Sequence, residues 1–161
     1  MPQNEAAGAR CGICAIIERI TAGTFADLIA ELPRSWLILG DAQFYRGYCV
    51  LFAKIHATEL YLMPAAAARE LFEEMRLTAE AIATIVKPWK MNYECLGNSE
   101  PHVHWHLLPR YENDELRFGP VWLRPEAERK VPLDENDRRA LMASIRQQLT
   151  LRFPNARIPS T

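Results

Sequence analysis

"PHVHWHLLPR", residues 101–110, holds three of the chain's four histidines, each separated from the next by one bulky apolar residue. In a strand, residues i, i+2 and i+4 point to the same side. His102, His104 and His106 therefore share one face, and Val103, Trp105 and Leu107 share the other. The second face is suited to a core and the first to chemistry.

Outward from this strand the chain alternates between two periodicities. Upstream, "KMNYECLG" (90–97) reads as a strand running into a glycine loop. "SWLILGD" (35–41) and "GYCVLFAK" (47–54) flank the short "AQFYR" and read as neighbouring antiparallel strands. "TFADLIAEL" reads as a short amphipathic helix. From Pro64 to about Val86, Leu71, Phe72, Met75, Ala79, Ile82 and Val86 recur at steps of three and four, one apolar face of a long helix, which Lys87-Pro88 stops. "ENDELRFGPVWLRPEAERKVP" is loop-like. Asp134 caps a last helix at about 134–151, with Leu141, Ile145 and Leu149 on its inner face. The order predicts an α+β fold: a mainly antiparallel sheet with one long helix and a C-terminal helix. Residues 11–161 read as a single domain behind a flexible N-terminal tail, residues 1–10.

The 161 residues are 49% hydrophobic and 24% charged, with a formal net charge of −1. That balance excludes a disordered chain and offers no broad basic surface for a nucleic-acid polymer. No apolar run reaches the roughly 18 residues of a membrane span, and "MPQNEAAGARCGIC" lacks the pattern of a signal peptide. The expectation is a cytoplasmic protein whose four cysteines are thiols or metal ligands rather than disulfides.

Three readings of the alternating histidines compete. A merely solvated polar face would more often carry Lys, Glu or Thr. An H-x-H pair can bind a metal, but the outer two histidines of a straight strand sit about 13 Å apart at their backbones, too far to share one ion easily. In the third reading the central imidazole is a nucleophile and its neighbours assist it. Neutral imidazole attacks phosphorus well, and the N-phosphoryl product is readily hydrolysed. "LGNSEP" (96–101), at the start of the strand, supplies a glycine that lets backbone approach a phosphate, the Asn98 amide and the Ser99 hydroxyl.

These residues resemble the histidine triad (HIT) family of nucleotide hydrolases and transferases, whose signature is H-φ-H-φ-H-φ-φ with φ hydrophobic. The likeness extends upstream through "NYECLGNS" to "GYCVLFAKIHATEL" and "CGIC", covering most of residues 11–111. It implies a HIT-like fold and a substituted nucleoside phosphate as substrate, either a dinucleoside polyphosphate or a nucleoside phosphoramidate. By the same resemblance His104 is the nucleophile that becomes transiently nucleotidylated. His106 donates to phosphate oxygens, and Asn98 and Ser99 contact the phosphates and leaving group. Asn92 is a more distant polar contact, and Asp41 accepts from the ribose hydroxyls. A homodimer is expected. A nucleotide-binding sensor with little catalysis is the alternative.

Cys11 and Cys14, as C-x-x-C, form half of a recognisable zinc site. His56 ends the second strand and His102 begins the histidine strand. Bacterial relatives that pair C-x-x-C with two such histidines imply a structural zinc on Cys11, Cys14, His56 and His102. A satisfied core or surface histidine is the other reading of His56. Cys49 and Cys95 read as small core residues. Trp105 points to the core or a dimer contact. Trp122 resembles the tail segment that approaches the active site in relatives, and Phe44, Tyr45 and the run before Asp41 are candidates for a base pocket or for core.

Overall fold

The computed structural model describes residues 11–159; the tail at residues 1–10 lies outside the described residues. A five-stranded antiparallel sheet forms the middle layer, in the order β1-β2-β3-β5-β4. Its strands are β1 (Leu28–Glu31), β2 (Ser35–Leu39), β3 (Cys49–Ala53), β4 (Lys90–Glu94) and β5 (His104–Arg110). The helices are α1 (Gly12–Thr21), α2 (Ala65–Val86), the single turn α3 (Glu126–Arg129) and α4 (Glu135–Arg152).

Period-two alternation in β5 separates the two sides of the sheet. Trp105 and Leu107 join Leu37, Leu39, Cys49 and Leu51 in the main core. Leu71, Met75 and Ile82 of α2 and Leu141, Ile145 and Leu149 of α4 cover that face. Leu71, Ile82, Ile145 and Leu149 are wholly buried, and each contributes about 1.5–3 kcal/mol through removal from water. On the opposite face α1 packs Ile13 and Ile20 against Ile38 and Phe52. There β5 sets His104 opposite Phe52 and His106 opposite Val50. The histidines thus sit beside a short helix, on the side of the sheet away from the main core.

Local signals explain where the helices stop. Asp134 accepts from the backbone N–H groups of Asn136 and Asp137 and starts α4,. Lys87 adopts a left-handed conformation (φ 47°) before Pro88 and ends α2,.

The structure differs from expectation in several places, among them Phe72, which is exposed rather than on the buried face of α2, and His102, which precedes β5 instead of lying in it. "TFADLIAEL" contains no helix: its second half is β1, paired antiparallel with β2 through an irregular register between Leu28 and Ala30. Ile29 and Ala30 are fully buried, and β2 supplies the backbone partners that decide the matter. Cys95 lies past the end of β4 and is exposed rather than core. The segment after β5 is mostly loop but contains a 3-10 turn at Val121–Leu123 and α3.

Candidate functional site

His102 lies two residues ahead of β5, where its side chain is wholly buried. It meets the start of α1 and His56 from the turn after β3. One donor atom from each of Cys11, Cys14, His56 and His102 lies within 4.8 Å of all the others. Cys14 Sγ is 3.3 Å from His56 Nδ1 and 3.7 Å from His102 Nδ1, and Cys11 Sγ is 3.6 Å from His102 Nδ1. A tetrahedral zinc with bonds of about 2.3 Å to sulfur and 2.0–2.1 Å to nitrogen spaces these ligands about 3.6 Å apart, so the donor set fits zinc. The outer nitrogen of His102 donates to the Ala53 carbonyl at 2.8 Å. This leaves Nδ1 unprotonated toward the sulfurs, the arrangement a metal-binding imidazole needs. Burial, reinforced by Cys11 beside it, pushes the Cys14 thiol up to about 11, so an entering metal must displace its proton.

The next two histidines form a chain of protons with one consistent assignment. His104 Nδ1 lies 2.6 Å from the carbonyl oxygen of His102. A carbonyl only accepts, so Nδ1 carries the hydrogen, and the neutral ring then bears its lone pair on Nε2. His106 Nε2, 3.2 Å from His104 Nε2, must therefore be the donor of that pair. His106 Nδ1 in turn accepts from the Tyr48 hydroxyl at 2.6 Å. Burial pushes the Tyr48 phenol well above its ordinary range, which keeps it a donor. Burial, with His104 adding to it, lowers His106 to about 4, so the ring is neutral near pH 7.

Tyr48 is a group that sequence reasoning missed. Its ring stacks near His106 at a 5.9 Å centroid distance. It lies so close to Gly40 that a Cβ there would come within 2.4 Å of the ring; only glycine leaves it room. Its placement depends on pairing across the sheet, and no local motif announces it.

His104 and His106 open onto a hollow of roughly 340 Å³ lined also by Gly97, Asn98, Ser99 and Trp122. Gly97 turns the loop with φ 74°, a conformation that glycine adopts at little cost. A Cβ on Gly97 would meet nothing closer than 3.9 Å, so conformation rather than crowding requires the glycine. Trp122 sits 5.1 Å from His106 between ring centroids and donates its indole N–H to Glu94.

On the other side of the histidines a hollow of roughly 440 Å³ is walled by Ile13, Phe25, Ile38, Val50 and Phe52, and includes Asp41. Tyr45 is buried and Phe44 lines other cavities, so neither walls this one. Asn92 is on β4, where its Oδ1 accepts from Arg110, and it lines neither hollow beside the histidines. A larger cavity of roughly 710 Å³, between residues 43–46, α2 and α4, contains no histidine. Both of the smaller hollows, by contrast, are lined by His104 and His106.

Comparison with known proteins agrees with this arrangement. The HIT domain profile matches residues 24–113. The chain is 27% identical over 118 residues to "Protein hit" of Bacillus subtilis, covering 70% of this chain and 81% of the relative. A histidine triad protein from Marinobacter aquaeolei superposes with TM-score 0.69 at 25% identity, over 83% of this chain and 94% of that one. A Zn-bound histidine triad family protein from Mycobacterium smegmatis shares the fold with TM-score 0.64 at 24% identity, over 89% of this chain and 99% of that one. With more than half its length matched by that profile, the triad strand included, this chain belongs to the HIT domain family.

Proposed function

We propose that the protein is a nucleotide hydrolase or nucleotidyltransferase that cleaves substituted nucleoside phosphates at the α-phosphorus. The observation that carries this reading is the 2.6 Å hydrogen bond from His104 Nδ1 to the His102 carbonyl. In the neutral ring it fixes the tautomer with the lone pair on Nε2, beside a polar hollow and an apolar one. In the first step that lone pair forms a bond to phosphorus while the bond to the leaving group breaks. His106 Nε2–H, no longer held by His104, stabilises a non-bridging phosphate oxygen together with the Asn98 amide and Ser99 hydroxyl. Water then attacks the nucleotidyl-His104, the phosphorus–nitrogen bond breaks and the nucleoside monophosphate is released; with another acceptor in place of water, that acceptor carries the nucleotidyl group away. Asp41 is suited to the ribose hydroxyls, and the apolar walls around Phe25 and Phe52 to the base.

Cys11, Cys14, His56 and His102 would hold zinc, and the 3.3–3.7 Å donor spacings support it. Held there, zinc would serve a structural purpose, with these four residues joining α1, the turn after β3 and the approach to β5. The proposed homodimer draws support from the edge strand β4, with exposed Trp89 and Tyr93 beside it and on it.

A panel of dinucleoside polyphosphates and nucleoside phosphoramidates, assayed for release of nucleoside monophosphate, tests the reading. Turnover of at least one class is expected. Nucleotide binding without turnover of any would point to the sensor alternative.

A further inference from the structure

A third hollow adjoins the reaction site and leads away from it. It measures roughly 410 Å³ and is lined by Tyr48, Trp122, Arg129 and Lys130, with Asp41 and Glu126 also on it. Trp122 and Arg129 line both this space and the hollow that holds His104, His106, Asn98 and Ser99. The apolar, nucleoside-sized hollow shares His104 and His106 with the reaction hollow but is lined by neither Trp122 nor Arg129. A substrate with its nucleoside in the apolar hollow and its α-phosphorus at His104 leaves the hollow lined by Trp122 and Arg129 free for its leaving group.

The Arg129 guanidinium is held in place. Its Nε donates to the Arg124 carbonyl at 3.1 Å, and its carbon lies 5.2 Å from the centre of the Trp122 ring. Trp122 is anchored in turn by its N–H on Glu94 and by His106. The neighbouring carboxylates are largely engaged elsewhere: Glu94 by Trp122, Glu100 by the Gly12 N–H, Glu126 by Lys130 and Glu128 by Arg124. Asp41 alone of the acids on the third hollow has no donor among the described residues, and it also lines the nucleoside side. Among the described residues no carboxylate pairs with Arg129.

We propose that Arg129 is a recognition group for an anionic leaving group, a phosphate chain continuing beyond the α-phosphorus. Among the substrates allowed by the reading of His104 as nucleophile, on which this inference rests, the favoured class is then the nucleoside polyphosphate conjugates rather than the phosphoramidates. The chemistry separates the two. When His104 Nε2 bonds to the α-phosphorus of a polyphosphate, the bond to the bridging oxygen breaks and its electron pair leaves with the β-phosphate. That phosphate gains one negative charge, which a planar guanidinium receives through two parallel N–H donors. A phosphoramidate expels an amine, which needs a proton to leave. Arginine does not give up its proton in proteins, so Arg129 has nothing to offer that step.

Binding of AMP and of α,β-methylene-ADP, measured by calorimetry, tests the subsite without depending on turnover. The additional phosphonate-linked phosphate should tighten binding by roughly tenfold to a hundredfold in the unmodified protein. Arg129→Gln should abolish that difference, and Arg129→Lys, which keeps the charge without the planar fork, should restore part of it. In kinetics, Arg129→Gln should lower kcat/KM for a dinucleoside polyphosphate at least tenfold more than for a phosphoramidate. Retention of the full binding difference by Arg129→Gln, or no preference for the extra phosphate in the unmodified protein, would overturn the proposal. If the binding difference depends on Arg129 but no substrate is turned over, the subsite stands and the enzymatic reading fails.

Discussion

The backbone carbonyl of His102 accepts the Nδ1 hydrogen of His104 at 2.6 Å, while the His102 side chain faces Cys11 and Cys14. The candidate metal ligand and the proposed nucleophile are therefore coupled through one residue. The same residue is also fixed from its far side, where its outer nitrogen donates to Ala53. Any disturbance of the Cys₂His₂ cluster reaches the tautomer of His104 through a single carbonyl.

Loss of a metal ligand should register first in stability. Cys11→Ser should lower zinc content, measured by mass spectrometry of metal-replete protein, and lower the melting temperature by several degrees. It should weaken nucleotide binding less than it weakens stability, because Cys11 and Cys14 lie outside the linings of the two hollows beside the histidines. Zinc content indistinguishable from that of unmodified protein would remove the assignment.

Tyr48 should act as a positioning residue through its 2.6 Å hydrogen bond to His106 Nδ1. Tyr48→Phe removes the donor and leaves His106 free to carry its hydrogen on Nδ1, where it is useless to a phosphate oxygen. We expect kcat to fall roughly tenfold to a hundredfold, with a smaller change in KM. Nitrogen NMR of the His106 ring should show the tautomer shifting toward Nδ1–H. An unchanged tautomer in the variant would contradict the assigned role.

The end of β5 carries a separate, structural prediction. Arg110 is almost fully buried and donates to Asp114 from Nε and Nη2 at 2.9 and 2.6 Å. Tyr45 and Arg124 also donate to that carboxylate. Burial alone would raise Asp114, but the hydrogen bonds from Tyr45 and Arg110 overcome it and hold the carboxyl at about 2, against an ordinary 3.8. Because the folded value is the lower one, its stabilisation of roughly 2 kcal/mol is present above pH 4 and is lost as pH falls toward 2. Asp114→Asn should cost about 3–5 kcal/mol at neutral pH by stranding Arg110. It should also flatten the acid limb of stability measured by denaturant titration at successive pH values. A limb as steep as that of the unmodified protein would show that Asp114 does not control it.

Much of this architecture is legible in the sequence. The helix α2, the cap at Asp134 and the alternation of β5 follow from periodicity and local chemistry, which act within a few residues. The short strand β1 is not legible, because its apolar residues fit a helical turn as well as an edge strand until β2 lies beside them. The site divides in the same way. Asn98 and Ser99 lie close to the triad in sequence and line its hollow, whereas Tyr48, Trp122 and Arg129 reach it only through tertiary folding. Asn92, which the family resemblance associates with the nucleotide, accepts a hydrogen bond from Arg110, a partner that only the pairing of β4 with β5 brings to it. Trp122 has one sequence clue, its position in the tail after β5, but nothing in "GPVW" specifies an indole packed beside His106.

The most direct test of the central claim is to quench a reaction with a slowly hydrolysed nucleotide conjugate and weigh the protein and its peptides by mass spectrometry. The account predicts added mass equal to one nucleotidyl group on the peptide containing His104, acid-labile and absent from His104→Ala, which should retain its fold and zinc but lose turnover. Undiminished turnover by His104→Ala, or a nucleotidyl group attached to another residue, would contradict it.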